Sequence, residues 1–352
     1  MDIIAFVFKY VQNELILNGW KGLLTLEILL LVMIAVSYQI VLILHEGGHA
    51  VFGILTGYQI TLFRIGIISL VHEEGRVSVK FYHAYASSGQ CILCPPNVEN
   101  GANVPFVLPT LGGIIGNVIL CGISAVPLLF SSNRHPFIRI FFCILFITSL
   151  LNVLLNGIPG NSAINSNDGL NFKLLNNNAQ TRRSLYCQLH IINKLCRGVT
   201  YKELAEEMVT VPRPSDYTNP IMVWHQMVTY YRFLDNDRWT DAYEYLIEIE
   251  KHSGSCPKIL KKSVQAERLF LMIKFNFASN EIEELYEQIK KQIKNKNNDF
   301  HLVKVRMAYE LYKKDSPRIR ERIQSELKVK SNTYPYKGET LLCIKLVNGM
   351  MI

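Results

Sequence analysis

The sequence predicts a mainly α-helical membrane protein: three membrane-crossing helices with a small β-hairpin element among them, followed by a water-soluble α-helical domain of repeat-like pattern. Three observations predict it. Charge is unevenly placed: residues 1–175 hold 8 of the 37 Lys/Arg and 8 of the 29 Asp/Glu, so the whole net charge of +8 falls in the second half. The composition, 49% hydrophobic and 19% charged, is more apolar than that of an ordinary soluble chain of this length. Three apolar runs reach the roughly 20 residues that a membrane-crossing helix needs, and the second half changes to amphipathic helices with polar connectors.

The first segment, "MDIIAFVFKYVQNELILNGW", is interrupted by Lys9, Gln12, Asn13 and Glu14 and lacks a small-residue cleavage site. It reads as an interfacial amphipathic helix over residues 1–20 rather than a secretory signal, with a short extra span as the alternative. The first span runs from near Leu23 into "HEGGHAVFGILTGY". After it, "YQITLFRIGIISLVHEEGRVSVKFYH" is rich in Ile, Val, Phe and Tyr and turns at "HEEGR", the pattern of a β-hairpin. "ASSGQCILCPPNVENGANVP" then reads as a loop. The second and third spans lie near Pro105–Phe130 and Pro136–Gly157, and the short connection "SSNRH" makes them antiparallel neighbours.

Basic residues gather on the cytoplasmic side of membrane proteins. The basic second half is therefore expected in the cytoplasm of an integral protein of the plasma membrane, with the hairpin facing inward and the N-terminus outside. Residues 21–175 form the membrane-embedded core and 176–218 a linker with helices. Residues 219–352 carry helix pairs that recur at roughly 35–45 residues, as in an α-solenoid of tetratricopeptide type. Trp224, Tyr231 and Ala242 of the first pair stand much as that repeat's large and small positions do. A plain helical bundle is the alternative.

The chemistry lies in "HEGGH". Residues four apart share a helix face, so His45 and His49 can present two imidazoles to one metal ion, with Glu46 beside them as general base. The bland alternative is two histidines that end a membrane helix. Polar groups in an apolar helix are costly, which weighs against it. A zinc site of this kind needs a third protein ligand and an open position for water. Asp168, in "LLNGIPGNSAINSNDGLNF" at the end of the third span, is the candidate; alone it also reads as a solvated turn residue.

Together "HEGGHA" and "NGIP…NDG" resemble the site-2 protease family of intramembrane zinc metalloproteases, over about residues 22–175. The resemblance implies His45, His49 and Asp168 as zinc ligands, Glu46 as the base and Asn156 as a substrate-positioning group. It also implies hydrolysis of a peptide bond within or near the membrane segment of a membrane protein or membrane-inserted peptide precursor, as in regulated intramembrane proteolysis. "GGIIGN" (Gly112 to Asn117) resembles the small-residue segment of that family's second core helix, although close helix packing accounts for the glycines by itself. The stretch from Pro159 to Asp168 is longer than the shortest family version, and the Gly47-Gly48 pair lowers helix propensity inside the motif.

The other clusters read as structure. Cys91 and Cys94 of "CILC" lack a partner pair and read as an ordinary loop, with a redox or auxiliary metal role as the alternative; His72 and His83 read as exposed loop residues and Glu27 as facing the outer interface or other helices. Most of the eight cysteines are expected as reduced thiols. Expected partners are the lipid bilayer, a membrane protein or membrane-inserted peptide as substrate, and a protein partner on the C-terminal helices. No motif supports nucleic-acid binding. The competing function is an inactive, protease-like membrane anchor whose helical domain recruits proteins. A small transporter is disfavoured by the lack of an internal repeat among the spans. The strand-rich stretch Ile60–Phe81 offers an edge onto which an extended substrate could add, and proline at Ser78 would test that edge.

Overall fold

The structure, a computed structural model, describes residues 3–73, 76–82, 88–99, 101–130, 136–160, 166–211, 216–252, 254, 256, 258–294 and 299–351. Three helices are long and apolar enough to cross a membrane: Leu15–Leu55, Gly101–Leu129 and Phe137–Gly157. They lie within α1 (Ile3–Leu55), α2 (Val107–Phe130, preceded by a short 3-10 turn) and α3 (Pro136–Gly157). Leu31, Leu129 and Leu155 are among the many apolar side chains that these helices leave exposed, as helices facing lipid do. Inside α1, Gly19 takes φ 56 and ψ −146, a conformation that glycine alone adopts cheaply, and there the helix is broken.

α2 packs against both α1 and α3. The α1–α2 contact runs backbone to backbone. A Cβ on Gly48 would run into the Gly112 carbonyl, and one on Gly116 would lie 2.5 Å from the Leu44 carbonyl oxygen. Gly47 meets nothing within 4 Å. So it is Gly48 that lets the helices close together, at the level of the histidines.

Between the first two spans stand four strands: β1 (Gln59–Ile65), β2 (Ile68–Glu73), β3 (Arg76–Phe81) and β4 (Gly89–Cys94). They form one antiparallel sheet in the order β3-β2-β1-β4. The expected hairpin around "HEEGR" is the β2–β3 pair, and the sheet is twice that size. The loop expected around "CILC" is corrected over Gly89–Cys94, which pairs with β1 from Gln59↔Cys94 to Ile65↔Gly89. The sequence cue was faint because glycine, serine and proline crowd a six-residue strand whose two sides are both covered; Ile92, Leu93 and Cys94 are buried. His72 sits in β2, and His83 lies outside the described residues.

The second half is helical: α4 (Asp168–Asn177), α5 (Ala179–Cys196), α6 (Glu206–Val209), α7 (Pro220–Asp235), α8 (Trp239–His252), α9 (Lys258–Lys274), α10 (Ser279–Lys294), α11 (Phe300–Lys313), α12 (Pro317–Thr333) and α13 (Lys337–Asn348). Consecutive helices from α7 onward pack on one another, and α9–α11 and α11–α13 also touch. A repeated helix end organises this array. Gly198, Asp237 and Asn276, spaced 39 residues apart, all take positive φ two residues after α5, α7 and α9. At each the same pair of bonds closes the helix: Val199 N–H to Lys194 O, Arg238 N–H to Phe233 O, Phe277 N–H to Met272 O, each beside a shorter-range bond. This left-handed cap satisfies the last carbonyls of a helix and turns the chain back. α5, in the stretch read as a linker, shares it with α7 and α9.

The sheet is held between the spans and these helices. Leu62, Val71 and Ile92 pack with Cys196, while Tyr82 joins Phe300, Met307 and Tyr334. Deep in the helical half, Lys304 and Glu267 are both fully buried and meet at 2.5 Å, with Tyr230 and Tyr231 hydroxyls donating to the same carboxylate.

Candidate metal centre

The residues singled out in the sequence converge. His45 and His49 project from one face of α1, their ring centroids 4.9 Å apart, and Asp168 opens α4 beside them. Asp168 Oδ2 lies 3.3 Å from His45 Nε2 and 3.4 Å from His49 Nε2. Among the described residues these three form a His/Asp group able to hold a metal ion, with ligand atoms all within 4.8 Å of one another. Asp168 Oδ2 is buried and takes part in no hydrogen bond. A buried acceptor facing two imidazole nitrogens is costly without a cation, and a divalent ion satisfies all three atoms together.

The fold-back that delivers Asp168 is built by its neighbours. Asn167 caps α4 by accepting the Leu170 N–H at 3.0 Å, and its amide donates to Leu155 O and Ile158 O at 2.7 and 2.6 Å. One side chain thus ties the end of α3 to the start of α4. Gly169 makes the seam tight, since a Cβ there would strike the Gly157 carbonyl. Gly169→Ala is expected to displace Asp168 and weaken metal affinity by roughly 10–100-fold, the usual scale for loss of a supporting contact. Competition with a fluorescent chelator measures it, and unchanged affinity would remove Gly169 from this role.

Each histidine has a partner behind it. His49 Nδ1 lies 2.8 Å from the Pro109 carbonyl, which only accepts, so Nδ1 carries a proton and Nε2, the nitrogen that faces Asp168, is the one placed to ligate a metal. The Asn117 amide stands 3.2 Å from His45 Nδ1 and 2.8 Å from Asn152 Oδ1, and Asn156 donates to Asn152 Oδ1 at 2.8 Å. Asn117 Oδ1 has no partner as the amide is oriented. Gly113 belongs to this wall, because a Cβ on it would lie 2.5 Å from both imidazole rings.

His45, Glu46, His49, Asn156 and Asp168 all line one cavity of about 530 Å³. Glu46 is buried against Gly89, where a Cβ would come within 2.7 Å of its carboxylate. The opposite wall is β4, from Gln90 to Leu93, with α5, α7 and α9 contributing Gln188, Trp224 and Leu260. Sequence reasoning missed Pro109, Asn117 and Asn152 as supports. Asn152 and Asn156, four apart in an apolar span, carried a readable signal, since amides inside a membrane helix need partners. Cys91 and Cys94 sit on a strand, and Cys94 lies near His190 rather than converging with Cys91 on a shared ligand. None of the eight cysteines forms a disulfide. The chain matches no known family, no curated protein and no solved structure.

Proposed function

We propose that the protein is an intramembrane zinc metalloprotease of the site-2 protease kind, cutting a membrane protein or membrane-inserted peptide precursor. The observation that carries this reading is the meeting of His45, His49 and Asp168 in one cavity with Glu46 and Asn156. Metal–ligand bonds of about 2.05 Å at tetrahedral angles separate ligands by about 3.3 Å. The His–Asp separations of 3.3 and 3.4 Å fit that spacing. The donor set, two imidazoles and a carboxylate, suits zinc and leaves one position open.

Zinc, when bound, lowers the pKa of water to about 7 and polarises the substrate carbonyl. Glu46 takes the proton of the attacking water and returns it to the leaving nitrogen. Asn156 lines the cavity as the substrate-positioning group; its amide nitrogen donates to Asn152 O and Oδ1, and it would exchange one of these bonds for the substrate carbonyl. A helical substrate must unwind before its carbonyl is accessible, and an extended segment can be held by adding to a sheet edge. The edge beside the metal cavity is β4, whereas Ser78 lies on β3 at the opposite edge. Proline at Ser78 is accordingly expected to leave cleavage intact. The basic second half supports its placement in the cytoplasm, with the spans in the plasma membrane.

Purified protein is expected to hold about one zinc per chain, to lose it in His45→Ala and Asp168→Ala, and to cleave membrane substrates only when loaded. Elemental analysis and a cleavage assay, before and after chelation, measure both. A folded wild type without zinc would favour the inactive anchor, with the helical domain as the working part.

A further inference from the structure

A second cavity, of about 400 Å³, adjoins the metal cavity. Gln90, Ile92, Gln188, Ile192, Trp224 and Leu260 line both. Its inner wall is aromatic, from Tyr201, Tyr231, Tyr334 and Tyr336, and three carboxylates, Glu267, Asp299 and Glu339, face it. Two of these have basic partners. Glu267 holds Lys304 at 2.5 Å, and Glu339 lies 3.3 Å from His301 Nε2 and accepts the Tyr334 hydroxyl at 2.5 Å. Asp299 has none: its Oδ1 caps α11, accepting the His301 and Leu302 N–H at 2.9 and 3.3 Å, and among the described residues it forms no ion pair. Three carboxylates thus face the chamber against two basic partners, Lys304 and His301.

Two further observations point to a cationic ligand. Gln188 Oε1, on the shared wall, is buried and has no hydrogen-bond partner. The aromatic faces already take one cation, since Lys304 Nζ stands 5.6 Å from the Tyr231 ring and 4.6 Å from the Phe270 ring. Burial, with Glu339 adding to it, raises the pKa of Asp299 against the nearby His301, so the carboxylate is penalised as it stands and a bound cation would relieve it.

β4 supplies the geometry. Gln90 and Ile92 line both cavities, while Cys91 and Leu93 line the metal cavity alone. Side chains alternate along a strand and match those of a paired strand. A peptide added to β4 therefore turns every second side chain toward the chamber. We infer that the chamber is a subsite for a lysine or arginine side chain of the extended substrate, received by Asp299 and Glu339 between the tyrosine rings. This rests on reading the metal cavity as a protease site.

The test uses the full chain in detergent and reads binding without turnover. The probe is a fluorescein-labelled leucine–valine peptide with a single lysine stepped through it, compared with norleucine and glutamate versions by fluorescence anisotropy. At one or more positions lysine is expected to bind about tenfold tighter than norleucine. The preference is expected to vanish in the Asp299→Asn, Glu339→Gln double variant, with binding of the norleucine peptide and the melting temperature retained. Should the double variant fail to fold, Asp299→Asn alone serves, because asparagine caps a helix as well as aspartate does. Equal binding of the three peptides, no binding to the wild type, or a lysine preference that survives the substitutions would overturn the inference. His45→Ala is expected to keep the preference while losing zinc, so failure of the protease reading and failure of the subsite give different results.

Discussion

Glu46→Gln is expected to slow peptide-bond cleavage by about 10²–10⁴-fold while leaving about one zinc per chain, the signature of a lost general base. Glu46 is next to His45 on the helix but outside the ligand group, and it is packed against Gly89. Glutamine keeps the shape and fills the same space, so the cavity and the metal are retained and only the proton-accepting oxygen is removed. Cleavage of a reporter membrane protein and elemental analysis of the same preparation give the two numbers. Wild-type rates in this variant would remove Glu46 from the chemistry. Loss of zinc along with activity would make it a structural support of the site instead.

Lys304→Met is expected to cost about 3–5 kcal/mol, because it strands the Glu267 carboxylate in the core of the helical half. Both groups are fully buried, and the pair is held at 2.5 Å with two tyrosine hydroxyls on the same carboxylate. Removing one member leaves the other's desolvation uncompensated, whereas removing both charges does not. Lys304→Met combined with Glu267→Gln should therefore recover most of the loss, since glutamine still accepts from the tyrosines. Chemical or thermal unfolding in detergent measures the difference. A double variant no more stable than the single would show that lysine packing, not charge compensation, is what the core needs.

The spans and the helix pairs were legible because each carries a long, simple pattern. Apolar runs of membrane length fall where α1, α2 and α3 stand, and the first helix pair read in residues 219–352 falls on α7 and α8. β4 was not legible: a short strand covered on both sides has no alternation to read, and Pro95 and Pro96 made its surroundings look like a loop. The convergence of His45, His49 and Asp168 was legible as residue types and spacing. Its supports were not, because the Pro109 carbonyl is backbone and Asn117 and Asn152 acquire meaning only when α2 and α3 lie against His45. The contact of Gly169 with the end of α3 is tertiary and leaves no local pattern. The 39-residue rhythm of helix ends was hidden because glycine, aspartate and asparagine fill the same left-handed position in turn.

The candidate metal face of α1 runs inward from one end of the other two helices, with His49 nearer that end and His45 one turn deeper. His49 bonds to the carbonyl of Pro109, two residues into α2, and Asn156 is the next-to-last residue of α3. One helical turn is about 5 Å, against a hydrocarbon layer of about 30 Å. His45, against Asn117 ten residues into α2, would then lie about 15 Å in from that side of the bilayer, and on the proposed reading water would reach the site from that side. On the same reading the one-sided placement would act as a ruler: a bond on the far side of the bilayer would be out of reach until its helix slid or unravelled toward this face.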